Sequence, residues 1–133
     1  MLLENPRLNE VTSEILGAAI EVHRVLGPGL LESIYQACLQ FELASRGLRV
    51  IVQQPVPILY KATRLQVVYR VDLIVEDLVI VEIKCVDVVG AVHKAQVMTY
   101  LCLTGTPAGL LINFNVARLM DGVKRLINPA SNV

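Results

Sequence analysis

Two apolar runs joined by a short polar connection constrain the fold more than any other feature of this chain. They read VVYRVDLIV over residues 67–75 and LVIVEIKC over residues 78–85. Runs of this length, rich in β-branched residues, predict two buried strands of one hairpin. Charged residues interrupt both runs, with Asp72 in the first and Glu82 and Lys84 in the second. The buried setting predicted for these charges needs an explanation of its own.

Two helical patterns precede the hairpin. Apolar residues recur at helical spacing from Asn9 to Leu26, and Gly27-Pro28-Gly29 ends that pattern. A second helix is predicted from about Leu30 to Ser45, with Gly47 as its C-terminal stop. The two helices should pack as a helical hairpin. The predicted inner side of the second helix consists of Leu30, Leu31, Ile34, Cys38 and Phe41.

Strand and helix patterns account for the rest of the chain. Residues 49–60 predict a strand that either lies at an edge of the sheet or is bent at its two prolines, because these prolines cannot donate ladder hydrogen bonds. A helix is predicted over residues 90–103 and a buried strand over residues 108–114. Residues 117–128 are compatible with a short hairpin turning at Asp121-Gly122 or with a strand and an irregular end. The order ααβββαβ(β) predicts helices packed on a mixed sheet, with the 90–103 helix as a crossover.

Length and hydropathy limit the classes of protein to consider. The 133 residues fit one domain, 1–133, with a core at about 9–128. Hydrophobic residues make up 54% of the chain, but charges interrupt every apolar run before the roughly 20 residues of a spanning helix. The N-terminal MLLENPRLNE lacks the pattern of a signal peptide. We therefore expect a cytoplasmic protein.

Cysteine spacing and charge exclude further classes. Cys38, Cys85 and Cys102 are odd in number and lack the paired spacing of a zinc site, so we expect reduced core residues. Twelve basic and twelve acidic residues give no net charge. Any binding of nucleic acid must therefore be local or assisted by a metal ion.

The turn of the hairpin decides whether its two carboxylates meet. A two-residue turn at Glu76-Asp77 pairs Asp72 with Val81, which sends Glu82 to the opposite face. A three-residue turn, or a bulge, places Asp72 across from Glu82. The absence of glycine favours the longer turn. Two carboxylates in that register repel each other unless a cation neutralises them.

A divalent metal ion would supply that neutralisation. Mg²⁺ takes hard oxygen ligands, commonly one or two carboxylates, and leaves other positions to water and substrate phosphates. Lys84, two residues after Glu82, would reach the same space and could orient or deprotonate an attacking water. The alternative is a solvated face that carries an ordinary surface ion network. Spacing alone leaves both interpretations open.

Motifs in the chain also resemble a known family. Asp72, followed after nine residues by Glu82-Ile83-Lys84, resembles the PD-(D/E)xK nuclease signature, with Val71 in place of the proline. The stretch GLLESIY, residues 29–35, is similar to the Gly-x-x-Glu-x-x-Tyr motif of the GxxExxY proteins within that superfamily. HKAQVMTYL and GLLINFNV resemble the same family. The similarity covers about residues 9 to 128.

This resemblance implies a fold, an activity and a set of site residues. The implied fold is α/β, a restriction-endonuclease-like core with a mixed sheet flanked by helices in αβββαβ order, here with an extra N-terminal helix. Asp72 and Glu82 would be metal ligands, Lys84 the catalytic lysine, and Glu32 an acid that reaches the site from its helix as a further ligand. Gln96 resembles the glutamine on the helix after the signature strand. The implied cofactor is Mg²⁺, with Mn²⁺ as a substitute.

The expected function is hydrolysis of phosphodiester bonds in nucleic acid, with DNA the expected substrate. The alternative is a non-catalytic module for nucleic-acid binding or assembly that retains the fold. A homodimer that creates a two-sided cleft fits the small size of the chain. If the carboxylates of Asp72, Glu82 and Glu32 crowd one site, mutual repulsion should raise the pKa of at least one of them.

Other residues have less specific interpretations. Tyr35 and Tyr100 are expected to pack in the core with their hydroxyls bonded. His93 is compatible with a phosphate contact but is more typical of a polar surface. Gly27 and Gly29 are best explained by a helix-to-helix turn.

Overall fold

Two long helices form the first third of the protein. The structure is a computed structural model and describes residues 5–130. Helix α1 spans Pro6–Leu26 and α2 spans Glu32–Ser45. Helix α1 begins three residues before the predicted Asn9, because the side chain of Asn5 accepts a hydrogen bond from the backbone N–H of Leu8 and a proline occupies the first helical position.

Within residues 5–130, five strands form one sheet in the order β1-β2-β3-β4-β5. Their bounds are Val50–Tyr60 for β1, Thr63–Val75 for β2, Val79–Lys84 for β3, Ala108–Asn113 for β4 and Val123–Ile127 for β5. Helix α3, Ala91–Thr104, connects β3 to β4, which pair in parallel, while the other neighbours are antiparallel. The predicted mixed sheet, the edge position of β1 and the crossover helix are therefore confirmed.

The C-terminal segment resolves the alternatives left open by its sequence. A short 3₁₀ helix, Leu119–Gly122, carries the chain to β5, which pairs with β4 over Ile112 to Ala108. The last segment is therefore a strand on the second edge of the sheet, antiparallel to β4. The Asp121-Gly122 pair ends the 3₁₀ helix and does not form the turn of a separate short hairpin.

Helices cover both faces of the sheet. One core cluster joins α1 and α2 to alternate strand residues such as Leu73, Val81 and Ile83. The other joins α3 to residues such as Ile80 and Leu111. Helix α3 lies close to the sheet at Gly109, where an added Cβ would lie 2.7 Å from Val97 Cγ1. No helix in the described range combines the length and hydropathy that a membrane crossing requires.

The predicted inner face of α2 is wrong. Leu31 and Phe41 are each 70% exposed, and Leu30 and Ile34 are also exposed. The helix buries Tyr35, Leu39 and Leu43 instead, which are spaced four residues apart and meet α1 and the sheet. The sequence of α2 has apolar residues on more than one face, so hydropathy alone does not identify the buried one.

The prediction for the cysteines is only partly correct. Cys38, Cys85 and Cys102 are free thiols, as expected. Cys38 and Cys85 are partly buried against the core of α1 and α2, but Cys102 is exposed on α3. The outer surface of α3 carries apolar residues such as Leu103, which is 46% exposed. Apolar neighbours in the sequence therefore did not imply that Cys102 is buried.

Candidate functional site

The connection between β2 and β3 sets the register of the two acidic residues. Val75 pairs with Val79, which leaves three residues, 76–78, in the loop. Glu76 and Asp77 have φ values of 53° and 56°, and the N–H of Leu78 donates to the carbonyl of Val75. The longer of the two predicted turns is therefore confirmed. Its first two residues have the positive φ values of a primed turn, although neither of them is glycine. Continuing the register places Asp72 across from Glu82.

The carboxylates of Asp72 and Glu82 occupy the place where the two strands stop pairing. The last ladder pair is Leu73 with Val81. Beyond it, the backbone N–H of Asp72 donates to Glu82 Oε2 at 2.8 Å, and the N–H of Ile83 donates to Asp72 Oδ2 at 2.8 Å. Each side chain therefore reaches the backbone of the opposite strand, and its oxygen takes the position of a ladder carbonyl. The two acids predicted to meet are brought into one gap.

Burial changes the proton affinity of this pair. Glu82 is only 4% exposed, and burial raises the pKa of its carboxyl from 4.5 to about 8, with repulsion from Asp72 as the next cause. Burial also raises the pKa of Asp72, against the opposing effect of hydrogen bonds from Ile83 and Gln53. The predicted raised carboxyl pKa is present, but loss of solvent contributes more to it than mutual repulsion does.

Lys84 and Gln96 meet on the α3 side of the sheet. Lys84, the last residue of β3, donates from Nζ to Gln96 Oε1 at 3.1 Å. The positive charge of Lys84 favours ionisation of both Asp72 and Glu82. Four predicted site residues, Asp72, Glu82, Lys84 and Gln96, thus lie together at one end of β3.

Glu32 lies at the rim of this group. It is the first residue of α2 and is exposed, and its Oε2 accepts a hydrogen bond of 3.2 Å from the backbone N–H of Cys85. Its charge disfavours ionisation of both Asp72 and Glu82. Glu32 therefore faces the end of β3 from the rim and also occupies the first turn of a helix, where an acid is favourable, so its role as a metal ligand stays a prediction.

The fit of a divalent metal ion depends on the oxygen donors that the site offers. Within residues 5–130, no group of three or more His, Cys, Asp or Glu side chains is arranged to hold a metal ion. The pair Asp72 and Glu82 offers hard oxygen donors in a buried gap whose negative charge is poorly neutralised. Because Mg²⁺ commonly takes one or two protein carboxylates and keeps several waters, this pair fits such an ion.

Two glutamines that the sequence analysis did not single out complete the surroundings of Asp72. Gln53 on β1 donates from Nε2 to Asp72 Oδ1 at 3.2 Å and to Gln36 Oε1 at 3.0 Å. Gln53 has a φ of 53°, unusual for a residue other than glycine in a strand. Gln36 lies four residues after Glu32 on the same helix face, a spacing that could have identified it. No sequence signal identifies Gln53.

The tyrosine of the GLLESIY stretch has a structural role. Tyr35 is fully buried and stacks on Phe114, with ring centroids 4.5 Å apart. Its hydroxyl donates to the carbonyl of Gly27 and accepts from the N–H of Leu30. These bonds fix the connection between α1 and α2 immediately before Glu32. The prediction of a packed tyrosine with a bonded hydroxyl is confirmed.

The remaining aromatic and histidine residues have local roles. Tyr100 is buried against Tyr69, and burial raises the pKa of its hydroxyl to about 12. His93 Nδ1 accepts from the N–H of Gly90, so the imidazole caps the start of α3. His23 Nε2 is bonded to the carbonyl of Val116.

Comparisons with known proteins give one family and one fold. Residues 9–126 match the sequence model of a family described as the PD-(D/E)XK nuclease superfamily. The fold is similar to that in the crystal structure of SSO0001, with a TM-score of 0.57 and 21% sequence identity. That match covers 98% of this chain and 65% of the other, so this chain spans about two thirds of the length of SSO0001. No curated protein matches the chain.

Proposed function

The chain belongs to the PD-(D/E)XK nuclease superfamily, and from this premise we propose that it hydrolyses phosphodiester bonds in nucleic acid. The proposed substrate is DNA and the proposed metal ion is Mg²⁺, with Mn²⁺ able to replace it. Within the superfamily, the GLLESIY stretch supports assignment to the GxxExxY proteins. We propose one catalytic domain that acts in the cytoplasm, with a homodimer as its candidate assembly.

One observation carries this proposal. The carboxylates of Asp72 and Glu82 lie in the gap where β2 and β3 separate, and each is held by a backbone N–H of the opposite strand. A surface ion network would place these acids in solvent beside basic partners, but Glu82 is buried. Buried acids that keep raised pKa values are typical of functional sites, because a stable fold gains nothing from them.

The residues have separate proposed roles. Asp72 and Glu82 would hold the metal ion, and Glu32 at the rim would contribute through an intervening water. When bound, the ion would neutralise charge on the scissile phosphate and lower the pKa of a coordinated water. Lys84 would orient the attacking water and stabilise charge on the phosphoryl oxygens through its ammonium group, and the proton of that water would pass to solvent.

Gln96 would keep Lys84 in position. Its Oε1 accepts a hydrogen bond from Lys84 Nζ, so the ammonium group is directed along the end of β3 rather than into solvent. Gln53 would do the same for Asp72, since it donates to one carboxylate oxygen while the N–H of Ile83 donates to the other. Both catalytic groups are thus oriented by neutral partners that leave their charges available.

Cleavage assays test the proposal directly. Mg²⁺ and Mn²⁺ should each be titrated against cleavage of mixed DNA and RNA substrates, with EDTA as the metal-free reference. Lys84→Ala should abolish cleavage. The matched control is Lys124→Ala, which removes an exposed lysine from β5, an edge strand separated from β3 by β4. Equal cleavage by wild type and Lys84→Ala, or no metal-dependent cleavage by wild type, would refute the proposed chemistry.

A further inference from the structure

The hairpin of β1 and β2 continues well beyond the core. We call residues 57–70, the end of β1, the turn and the start of β2, the arm. The buried residues Val56 and Val71 flank it, and within it Tyr69 packs on Tyr100 of α3. From Val56 to Lys61 the ribbon extends about 16 Å at the usual rise of a strand. Among the described side chains of the arm, the large apolar ones that are exposed by 37% or more are Leu59, Tyr60, Leu65, Val68 and Tyr69.

The charge of the arm differs from that of the rest of the chain. It contains Lys61, Arg64 and Arg70, and residues 53–71 include no aspartate or glutamate. This leaves nine of the twelve basic residues to accompany all twelve acidic residues elsewhere. A chain with zero net charge therefore concentrates an excess of positive charge on one protruding ribbon.

The three cations of the arm are available to a partner. In the described range 5–130, no ion pair involves Lys61, Arg64 or Arg70, although basic residues elsewhere, such as Arg49 with Asp77, do form ion pairs. All three side chains are exposed. A group of exposed cations without ion-pair partners favours an anionic partner.

The tip of the arm has a defined shape. Tyr60 pairs with Thr63 across a two-residue turn, in which Lys61 and Ala62 have φ values of 51° and 65°. This is the primed geometry that keeps a twisted two-stranded ribbon closed. Lys61 Nζ lies 5.4 Å from the centroid of the Tyr60 ring. The tip thus presents an aromatic ring and an ammonium group side by side.

The arm leads directly to the site. Strand β2 runs from the tip through Arg70 to Asp72, two residues later. A polymer that lies along the arm is therefore directed to the gap between Asp72 and Glu82. The ribbon is an extension of a strand that carries the site, so its position relative to the carboxylates is fixed by the sheet.

We propose that the arm is a docking surface for duplex DNA, with Lys61, Arg64 and Arg70 on phosphates and the apolar side chains on base edges in the major groove. This inference rests on the proposed action on nucleic acid and specifies its form. The major groove of B-DNA, about 12 Å wide, admits a two-stranded ribbon and displays thymine methyl groups. The major groove of duplex RNA is too narrow for side chains to enter. The arm is therefore specific for the DNA duplex.

Binding in EDTA separates docking from cleavage. The full chain is titrated into labelled duplex DNA, duplex RNA and single-stranded DNA, and fluorescence anisotropy is followed between about 50 and 200 mM salt. The test variant is Lys61→Gln/Arg64→Gln/Arg70→Gln. The control variant, Arg118→Gln/Lys124→Gln/Arg125→Gln, removes the same charge near and on β5, at the other edge of the sheet. Thermal melts establish that both variants are folded.

We expect substitutions in the arm, but not those near β5, to weaken DNA binding. Wild type should bind duplex DNA more tightly than the other two ligands. The test variant should lose about three units of the salt-dependence slope, and on the order of a hundredfold in affinity at physiological salt. The control variant should keep the wild-type slope. Equal slopes for the test variant and wild type would overturn the proposal, and so would a preference for duplex RNA.

Three further outcomes distinguish this proposal from its rivals. If Leu59→Ser/Tyr60→Ser converts a dimer to a monomer in light scattering and leaves DNA binding unchanged, the arm is an interface between two copies and the proposal fails. Wild-type cleavage in Mg²⁺ with arm-independent binding would refute the arm and leave the nuclease assignment intact. Arm-dependent binding without any cleavage would support the arm and refute the proposed catalysis.

Discussion

The buried carboxyl of Glu82 should make the metal-free protein less stable as pH rises, and Glu82→Gln should remove that dependence. Burial and Asp72 raise the pKa of Glu82 from 4.5 in the unfolded chain to about 8 in the fold. Between these two pH values the folded protein retains a proton that the unfolded chain has released. Raising the pH therefore favours the unfolded chain.

The size of this change in stability follows from the shift in the pKa of Glu82. A group that binds its proton in one state only changes the free energy of unfolding by about 1.4 kcal/mol per pH unit. Over the whole interval the loss is on the order of 5 kcal/mol, a large share of the roughly 5 to 15 kcal/mol of a small domain. Glu82 is only 4% exposed, so solvent screening reduces this figure little.

Glu82→Gln is a well-matched perturbation. The amide oxygen of glutamine can still accept the hydrogen bond from the N–H of Asp72, so the change removes the charge and preserves the shape. Near pH 4.5 the variant and wild type should have similar stability. At pH 8 and above, in EDTA, the variant should be more stable by several kcal/mol. Above about pH 8 the difference should stay constant, since both states of wild type are then ionised.

Urea unfolding followed by circular dichroism measures this difference at each pH. Glu10→Gln is the control, because the Glu10 side chain is 69% exposed and pairs with Arg7 on the surface of α1. That pair is worth less than about 1 kcal/mol. If Glu82→Gln and wild type have parallel stability curves between pH 4.5 and 8, then Glu82 ionises as an exposed acid does, and the buried-carboxylate argument is wrong.

Four other changes test the site and the fold. Mg²⁺ should raise the melting temperature of wild type but not of Asp72→Asn, and the metal-free variant should be at least as stable as wild type; a destabilised variant with a Mg²⁺-insensitive wild type would indicate a structural ion network. Gln53→Ala should lower the cleavage rate by about tenfold or more, since Asp72 loses a partner, while Gln40→Ala on the exposed side of α2 should leave the rate unchanged. Tyr35→Phe should cost about 1 to 3 kcal/mol in urea unfolding, because the N–H of Leu30 and the carbonyl of Gly27 lose their partner. Gly109→Ala should cost a similar amount, about 1 to 3 kcal/mol, because the new Cβ would overlap Val97.

The order of helices and strands was predictable because glycine and proline residues mark where the elements end. Gly27-Pro28-Gly29, Gly47 and Gly105 end helices α1, α2 and α3, and prolines limit β1 to an edge. The sequence left two possible pairings of the strands that carry Asp72 and Glu82. The loop 76–78 has primed-turn geometry but lacks the glycine that usually identifies such a turn in a sequence. The structure selected the case in which the acids meet.

Features that depend on tertiary contacts were not predictable in the same way. The buried face of α2 was missed because apolar residues occur around most of that helix, and packing against α1 and the sheet selects Tyr35 and Leu39 over Phe41. Gln53 was missed because its link to Asp72 crosses between strands and depends on an unusual backbone angle. Periodicity describes one element at a time and carries no information about such pairings.

The hydrogen bonds at the site orient its carboxylates but do not neutralise their negative charge. The backbone N–H groups of Asp72 and Ile83, together with the amide of Gln53, orient the carboxylates but carry no net charge. With Glu82 ionised, the three acids Glu32, Asp72 and Glu82 face the single positive charge of Lys84, an excess of two negative charges. Burial of Glu82 limits the screening of that excess by water, whereas Glu32 at the rim is exposed. A divalent cation would balance it with one ion, so the arrangement that lowers the stability of the metal-free protein at high pH is also the one that favours binding of a divalent cation.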